Sequence, residues 1–189
     1  MPRYTKKISQ EILRENKKRI LEHVKREGAA SGKSLGEQFG VKKVTLTGGS
    51  LRGRALRDLI EKKELSVVRN KGGKGKVYVL NEPELVHAAD IAGGDFSKRY
   101  QKEEAAILLQ MEHNLALCKF ASFKRQSTIK DPVTKILKRF PEVIETGEYR
   151  GVATQLRVID EEKFKSVLKT LKKSLELRGI KHQELVKEW

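Results

Sequence analysis

The stretch RNKGGKGKVYVL, from Arg69 to Leu80, constrains the fold more than any other part of the sequence. Its three glycines lie among basic residues, and glycine readily takes the positive φ that a tight hairpin turn needs. Valines suited to strands lie on both sides of these glycines, over Leu65–Arg69 and Lys76–Leu80. The sequence therefore predicts a β-hairpin with a basic tip.

The same glycines are also compatible with a loop that binds a nucleotide phosphate. Such a loop has Ser or Thr directly after its lysine and leads into a helix. Here Lys76 is followed by Val77 and by a strand pattern, so no helix N-terminus is predicted to hold the phosphate. The residues favour a hairpin tip that contacts nucleic-acid phosphates, with a solvated basic turn as the alternative.

The charge balance also favours a polyanionic partner. The chain of 189 residues carries 41 Lys and Arg against 25 Asp and Glu, a net charge of +16. Such a surplus is typical of proteins that bind DNA, RNA or an anionic membrane. No apolar run is long enough to span a membrane, and the N-terminus lacks an apolar signal core, so we expect an intracellular protein without a membrane partner. A single cysteine excludes an internal disulfide and a cysteine zinc site.

Two helices are predicted before the hairpin region. Apolar residues at helical spacing indicate a first helix from a Ser9 cap to about Glu27. In SLGEQFG, Ser34 and Glu37 have the spacing of a capping box, and Gly40 ends a second, short helix.

A third, basic helix is predicted from Ser50 to about Lys62. Val44–Leu46, before it, is either a short strand or an extended connector. One face of the helix is apolar, with Arg52 inside the apolar arc, and Gly53 indicates either a close backbone approach or tolerance near a helix end. The opposite face carries Ser50, Arg54, Arg57 and Glu61.

The order of helix, short helix, basic helix and hairpin resembles the winged-helix superfamily of DNA-binding domains. The residues that carry the resemblance are LGEQFG, SLRGRALRDLIEKKEL and VYVL, within residues 9–81. It implies that the ALRDLIEKKEL helix enters the major groove and that the hairpin is the wing. The join VKKVTLTGGS is longer than the usual tight turn and is similar to that of ribosomal small-subunit winged-helix proteins, which implies RNA as an alternative ligand.

The predicted nucleic-acid contacts follow from this arrangement. The basic helix would reach bases or nearby phosphates, and the join and hairpin would hold the backbone. The residues are Lys42, Lys43, Ser50, Arg52, Arg54, Arg57, Arg69, Lys71, Lys74 and Lys76.

In the second half, residues 83–98 are predicted as a connector that is helical over 84–91. A largely apolar helix then runs from Asp95 or Ser97 to about Phe120, and Lys119–Lys130 forms a basic loop with two phenylalanines. These phenylalanines either stack on bases or fill the core.

The remaining residues repeat the plan of the first half. Asp131 caps a helix with Pro132 as its first residue, and two strands flank Gly147–Gly151. A final helix is capped by Asp160 and ends near Gly179. We therefore predict a second winged-helix-like domain, whose less basic hairpin binds nucleic acid less strongly or serves a partner.

No catalytic or metal site is predicted. The four histidines lack ligand spacing. The run Asp160, Glu161, Glu162 and Lys163 is similar to the tail of a metal-nuclease motif, but helix capping explains it. We expect no enzymatic activity and no cofactor.

Together these observations predict a mainly α protein with small β-hairpins, in which tandem winged-helix-like domains at 1–82 and 99–189 flank the connector. The predicted function is double-stranded DNA binding, by a transcription regulator or a replication or partition factor. RNA or ribosome binding and a protein-interaction adaptor are the alternatives. The helices at 99–120 and 160–178 are candidate homodimer contacts.

Overall fold

A computed structural model describes residues 3–71, 75–118, 120–124, 127–147 and 153–187. Within these residues the chain is mainly helical with two small antiparallel sheets, which confirms the predicted α+β class. No helix in these ranges is long and apolar enough to cross a membrane. The elements in chain order are α1 (Arg3–Glu27), β1 (Ala30–Ser31), α2 (Gly32–Gln38), α3 (Leu51–Glu61), β2 (Leu65–Arg69), β3 (Lys76–Leu80), α4 (Pro83–Ala92), α5 (Arg99–Cys118), β4 (Phe120–Lys124), α6 (Ser127–Arg139), β5 (Ile144–Gly147), β6 (Ala153–Val158), α7 (Glu161–Glu176) and α8 (His182–Lys187).

Each half of the chain contributes one three-stranded sheet, and the two sheets have the same strand order. In the first sheet β3 lies between β1 and β2, and in the second β6 lies between β4 and β5. The predicted hairpin is confirmed with its strand bounds, because Leu65 pairs with Leu80 and Arg69 pairs with Lys76. Each sheet therefore contains the two strands that the sequence predicts and a third strand that it does not predict.

The predicted starts of the first two helices are wrong. Helix α1 begins at Arg3 rather than after Ser9, because neither glycine nor proline interrupts the chain from Arg3 onward. Helix α2 is capped by Ser31, whose hydroxyl oxygen accepts from the backbone N–H of Ser34 at 3.1 Å. Ser34 in turn accepts from the backbone N–H of Ser31 at 2.9 Å, so it takes the position that Glu or Gln usually fills in a capping box.

The connection between α2 and α3 is an irregular loop without a strand. It lies so close to both helices that only glycine fits at two of the contact points. A Cβ atom on Gly36 would lie 2.5 Å from the carbonyl oxygen of Val41, and one on Gly53 would lie 2.6 Å from that of Thr45. The loop is also anchored by a 2.8 Å hydrogen bond from the N–H of Val44 to the carbonyl of Gly32. Gly53 is therefore explained by the close approach of the chain's own loop.

The segment predicted as a basic loop, Lys119–Lys130, instead contains strand β4 and the first residues of α6. Strand β4 pairs with β6 along its full length, from Phe120 opposite Arg157 to Lys124 opposite Ala153. The loop prediction is wrong because a five-residue strand flanked by basic residues gives too weak a local pattern. The strand forms because pairing with the central strand of the sheet satisfies its backbone.

Helix α6 begins at Ser127, four residues before the predicted cap at Asp131, and Pro132 lies inside it. An Asp-Pro pair is typical of a helix start, because only the first turn can spare the missing N–H of proline. Here Val133 and Ile136 of the helix, and Phe140 directly after it, are buried in the core, and this packing outweighs the lost hydrogen bond.

The larger core buries the apolar faces of α5, α6 and α7 together with part of α4. Helix α7 begins as predicted, since Asp160 accepts from the N–H of Lys163 at 2.9 Å. The apolar stripes of α5 and α7, which the sequence offers as dimer contacts, are covered by the chain itself; their buried members include Ala105, Ile107, Leu108, Met111, Phe164, Val167, Leu171 and Leu175.

Helix α4, within the predicted connector, packs on both halves of the chain. Its residues Leu85 and Ile91 belong to the larger core. Its Ala89 lies in a small cluster with Val77 and Val79 of the first sheet. The connector is therefore helical, as predicted over 84–91, and this helix packs between the hairpin and the larger core.

Candidate nucleic-acid interface

A broad cleft lies between the first sheet and the loop that joins α2 to α3. It has a volume of about 1020 Å³. Its walls carry hydroxyl and amide side chains, and none of the described residues that line it is acidic. Five cationic residues line it: Lys33, Lys43, Arg69, Lys76 and Arg178.

The hairpin supplies two of these cations as a matched pair. Arg69 and Lys76 are directly opposite each other at the tip end of the β2–β3 ladder, and both are exposed. Directly opposed residues share a face of the sheet, and like charges at such a pair are destabilising. Within the described residues neither side chain forms an ion pair. An anion in the cleft would relieve this repulsion.

The loop and α2 supply the facing cations. The backbone of Lys43 is packed so closely on α2 that a Cβ atom on Gly36 would lie 2.8 Å from both its N and Cα atoms. Lys33 is exposed in the first turn of α2, and Lys42 is exposed beside Lys43. Because the backbone of this loop is already packed in place, binding through its lysines would cost little conformational entropy of the loop.

Arg178 comes from the residues after α7, and the sequence analysis misses it. Its Nη1 donates to the carbonyl of Ala92, and its guanidinium carbon lies 5.2 Å from the ring centroid of Phe96. Burial lowers the pKa of Arg178, and the charge of Asp95 partly opposes this. No local sequence signal could have placed it here, because the position depends on how α7 packs against α4.

The predicted contacts on α3 do not line the cleft. Arg54 and Arg57 are exposed on the face of the helix opposite its buried residues, as predicted. Ser50 is the N-cap, and its hydroxyl oxygen accepts from the N–H of Gly53 at 3.1 Å. Arg52 is half-buried, with its guanidinium 5.5 Å from the ring centroid of Phe39.

The rest of the predicted hairpin tip is placed differently. Lys71 is exposed, but its Nζ lies 4.0 Å from a carboxylate oxygen of Asp90, which offsets its charge. Lys74 lies outside the described residues. The structure thus brings Lys43, Arg69 and Lys76 together and keeps Lys71 apart from them.

Both faces of the hairpin strands pack against the rest of the protein, so the hairpin does not project as a free wing. One face of its strands packs on the core that α1 and α3 share, and Tyr78 belongs to this core. The opposite face packs against α4 and the end of α7 through Val68, Val77 and Val79. Among the described residues of the two strands, the exposed ones are Arg69 and Lys76 at the tip end of the ladder.

Tyr78 forms part of the cleft wall and is 4% exposed. Burial raises the pKa of its phenol, so the side chain stays neutral and adds no negative charge to the cleft. Within the described ranges no group of three or more His, Cys, Asp or Glu is placed to hold a metal ion.

Comparison of the chain with protein-family models, with curated proteins and with solved structures finds no match.

Proposed function

We propose that this protein binds nucleic acid, with double-stranded DNA as the favoured ligand, by holding one sugar-phosphate strand in the cationic cleft. The observation that carries the proposal is the clustering of Lys43, Arg69 and Lys76 with two further cations in a cleft that has no acid among its described lining residues. Neutralising phosphates would release condensed counterions, which drives association with DNA.

An extended polyanion fits the cleft better than a small phosphate ligand does. The cleft is at the upper end of the range of about 300–1,000 Å³ that is typical of sites for drug-sized ligands. Its cations come from α2, the following loop, both strands of the hairpin and the end of α7. Charges spread in this way suit successive phosphates along a strand.

Helix α3 would supply the contacts that distinguish sequences. Arg54 and Arg57 are exposed, and no described residue forms an ion pair with either of them. Arginine is well suited to the acceptor edge of guanine in the major groove. The order of α1, α2, α3 and the β2–β3 hairpin supports a winged-helix-like unit, and a role in transcription, replication or partition inside the cell would follow.

Structured RNA is the second candidate, and the loop between α2 and α3 favours it. This loop is packed on both helices and supplies Lys43 to the cleft, so the main cation cluster lies on the loop and hairpin rather than on α3. Phosphate contacts do not distinguish DNA from RNA, whereas the 2′-hydroxyl and the A-form groove do.

Competition between the two ligands tests the proposal. Labelled duplex DNA bound to the protein at physiological salt would be challenged with unlabelled duplex DNA and with a hairpin RNA of equal phosphate number. We expect the DNA to displace the label at a lower concentration. Stronger displacement by RNA would reassign the ligand to RNA. No binding of either at moderate salt would contradict a nucleic-acid role and favour a protein-interaction adaptor.

A further inference from the structure

A second cationic surface lies where α1, α2 and α3 meet, outside the cationic cleft. The guanidinium carbon of Arg19, on α1, is 4.5 Å from the ring centroid of Phe39, which directly follows α2. That of Arg52, on α3, is 5.5 Å from the same centroid. None of these three residues lines the cleft. Three separate elements therefore place two positive charges on one aromatic ring.

No described carboxylate neutralises this arginine pair. Among the residues that the structure describes, neither Arg19 nor Arg52 forms an ion pair. Their distances to the shared ring limit the separation of the two guanidinium carbons to about 10 Å, which is one Debye length at 0.1 M salt. The two positive charges therefore repel each other, and a bound anion would relieve this repulsion.

Both arginine side chains are held in place by the chain itself. Arg19 Nη2 donates to the carbonyl oxygen of Gln38 at the end of α2, and Arg52 is half-buried against Phe39. A guanidinium carries five N–H donors in a planar fork, so one bond to Gln38 leaves most of the donors of Arg19 for a ligand. Arg19 is exposed, and an anion could reach it without first ordering a flexible side chain.

The arginine pair is continuous with the cleft along two segments of the chain. Helix α2 carries the cleft residue Lys33 in its first turn and ends beside Phe39, and its seven residues span about 10 Å. The loop before α3 runs from Thr47, which lines the cleft, through the exposed Gly49 to Arg52. Successive phosphates of a duplex strand advance by about 3.4 Å along its axis, so the two surfaces are roughly three phosphates apart.

We infer that Arg19 and Arg52 form a second phosphate-binding site, which holds the nucleic-acid backbone between the cleft and the start of α3. This inference rests on the proposed nucleic-acid binding and extends its contact surface. Arginine forks suit the paired oxygens of a phosphate. Phosphate contacts fix the register of a protein on a duplex, so this site would position α3, whose exposed Arg54 and Arg57 are the proposed base contacts.

Fluorescence anisotropy with labelled duplex DNA at several salt concentrations tests the inference. Arg19→Gln should weaken binding by about tenfold or more, because a charge-assisted hydrogen bond to phosphate is lost. It should also reduce the slope of log affinity against log salt concentration by about 0.9. Arg52→Gln should have the same effects, and it keeps the inference testable if Arg19→Gln does not fold.

The matched control is Lys18→Gln, at the preceding position of α1. It removes the same charge from a side chain that is 67% exposed and points away from Phe39 by the helical turn of one residue. We expect it to change the affinity by less than about twofold, because an exposed charge that touches no phosphate is screened by salt.

Thermal unfolding of each variant separates a binding role from a structural one. If Arg19 served only to hold the end of α2, Arg19→Gln would lower the melting temperature and leave the salt slope unchanged, and the inference would be overturned. Equal losses of affinity in Arg19→Gln and Lys18→Gln would also overturn it. In both outcomes the unaltered protein still binds DNA, so the proposed function stands. Failure of the unaltered protein to bind would overturn the proposed function and this inference together.

Discussion

Replacing Arg69 and Lys76 together by glutamate is expected to weaken binding to duplex DNA by about 100-fold or more. Each of these cations would make a charge-assisted hydrogen bond to phosphate, worth about 1.5–3 kcal/mol, and 1.4 kcal/mol corresponds to tenfold in affinity. Two new carboxylates in the cleft would in addition repel the phosphates of the DNA. The loss should be similar for all DNA sequences, because phosphate contacts carry no sequence information.

The salt dependence gives a second readout of the same variant. Each lost phosphate contact should reduce the slope of log affinity against log salt concentration by about 0.9, so the double variant should lose about two units. Fluorescence anisotropy at several salt concentrations measures both quantities.

A matched control separates the cleft from the general charge of the protein. Lys138→Glu with Lys165→Glu lowers the net charge from +16 by the same amount, at exposed positions of α6 and α7 outside the cleft. We expect this variant to lose far less affinity. If both variants lost the same affinity for DNA, net charge alone would drive binding, and the cleft would not be the binding site.

Replacing Ala89 by glutamate is expected to destabilise the protein by about 3–5 kcal/mol, because it leaves a charge buried without a partner. Ala89 is 1% exposed and packs in the small cluster that holds Val77 and Val79 of the hairpin against α4. The added carboxylate can reach solvent only if the hairpin separates from α4. Urea unfolding followed by circular dichroism measures the change.

The control for this variant is Glu82→Gln, at an exposed residue before α4 whose side chain makes no capping hydrogen bond. It should change stability by less than about 0.5 kcal/mol. The division into domains at 1–82 and 99–189 stays a prediction, and the same experiment tests it. A loss below about 1 kcal/mol for Ala89→Glu, or two separate transitions with only one affected, would show that the hairpin does not depend on α4.

The elements that the sequence predicts best are those with strong local signals. The hairpin strands keep their predicted bounds because the glycine turn and the flanking valines fix both ends. Helix α3 starts at its Ser50 cap, and α7 at its Asp160 cap, because each cap side chain bonds an N–H that would otherwise lack a partner.

The elements that the sequence does not reveal depend on distant parts of the chain. Strand β1 has only two residues, too few for an alternating pattern, and it exists because β3 offers a free edge. Strand β4 likewise depends on pairing with β6.

The candidate site shows the same division between local and distant signals. Lys43, Arg69 and Lys76 are identified from local patterns, whereas Arg178 is not, because it reaches the cleft only through tertiary packing.

The most direct test of the central claim is an NMR titration of the isotope-labelled protein with duplex DNA. We expect the largest side-chain and amide shifts at the cations of the cleft: Lys33, Lys43, Arg69, Lys76 and Arg178. We also expect the exposed cations Lys138 and Lys165 of the second half to remain unshifted at equimolar DNA. Shifts confined to the second half, with the cleft unchanged, would contradict the central claim.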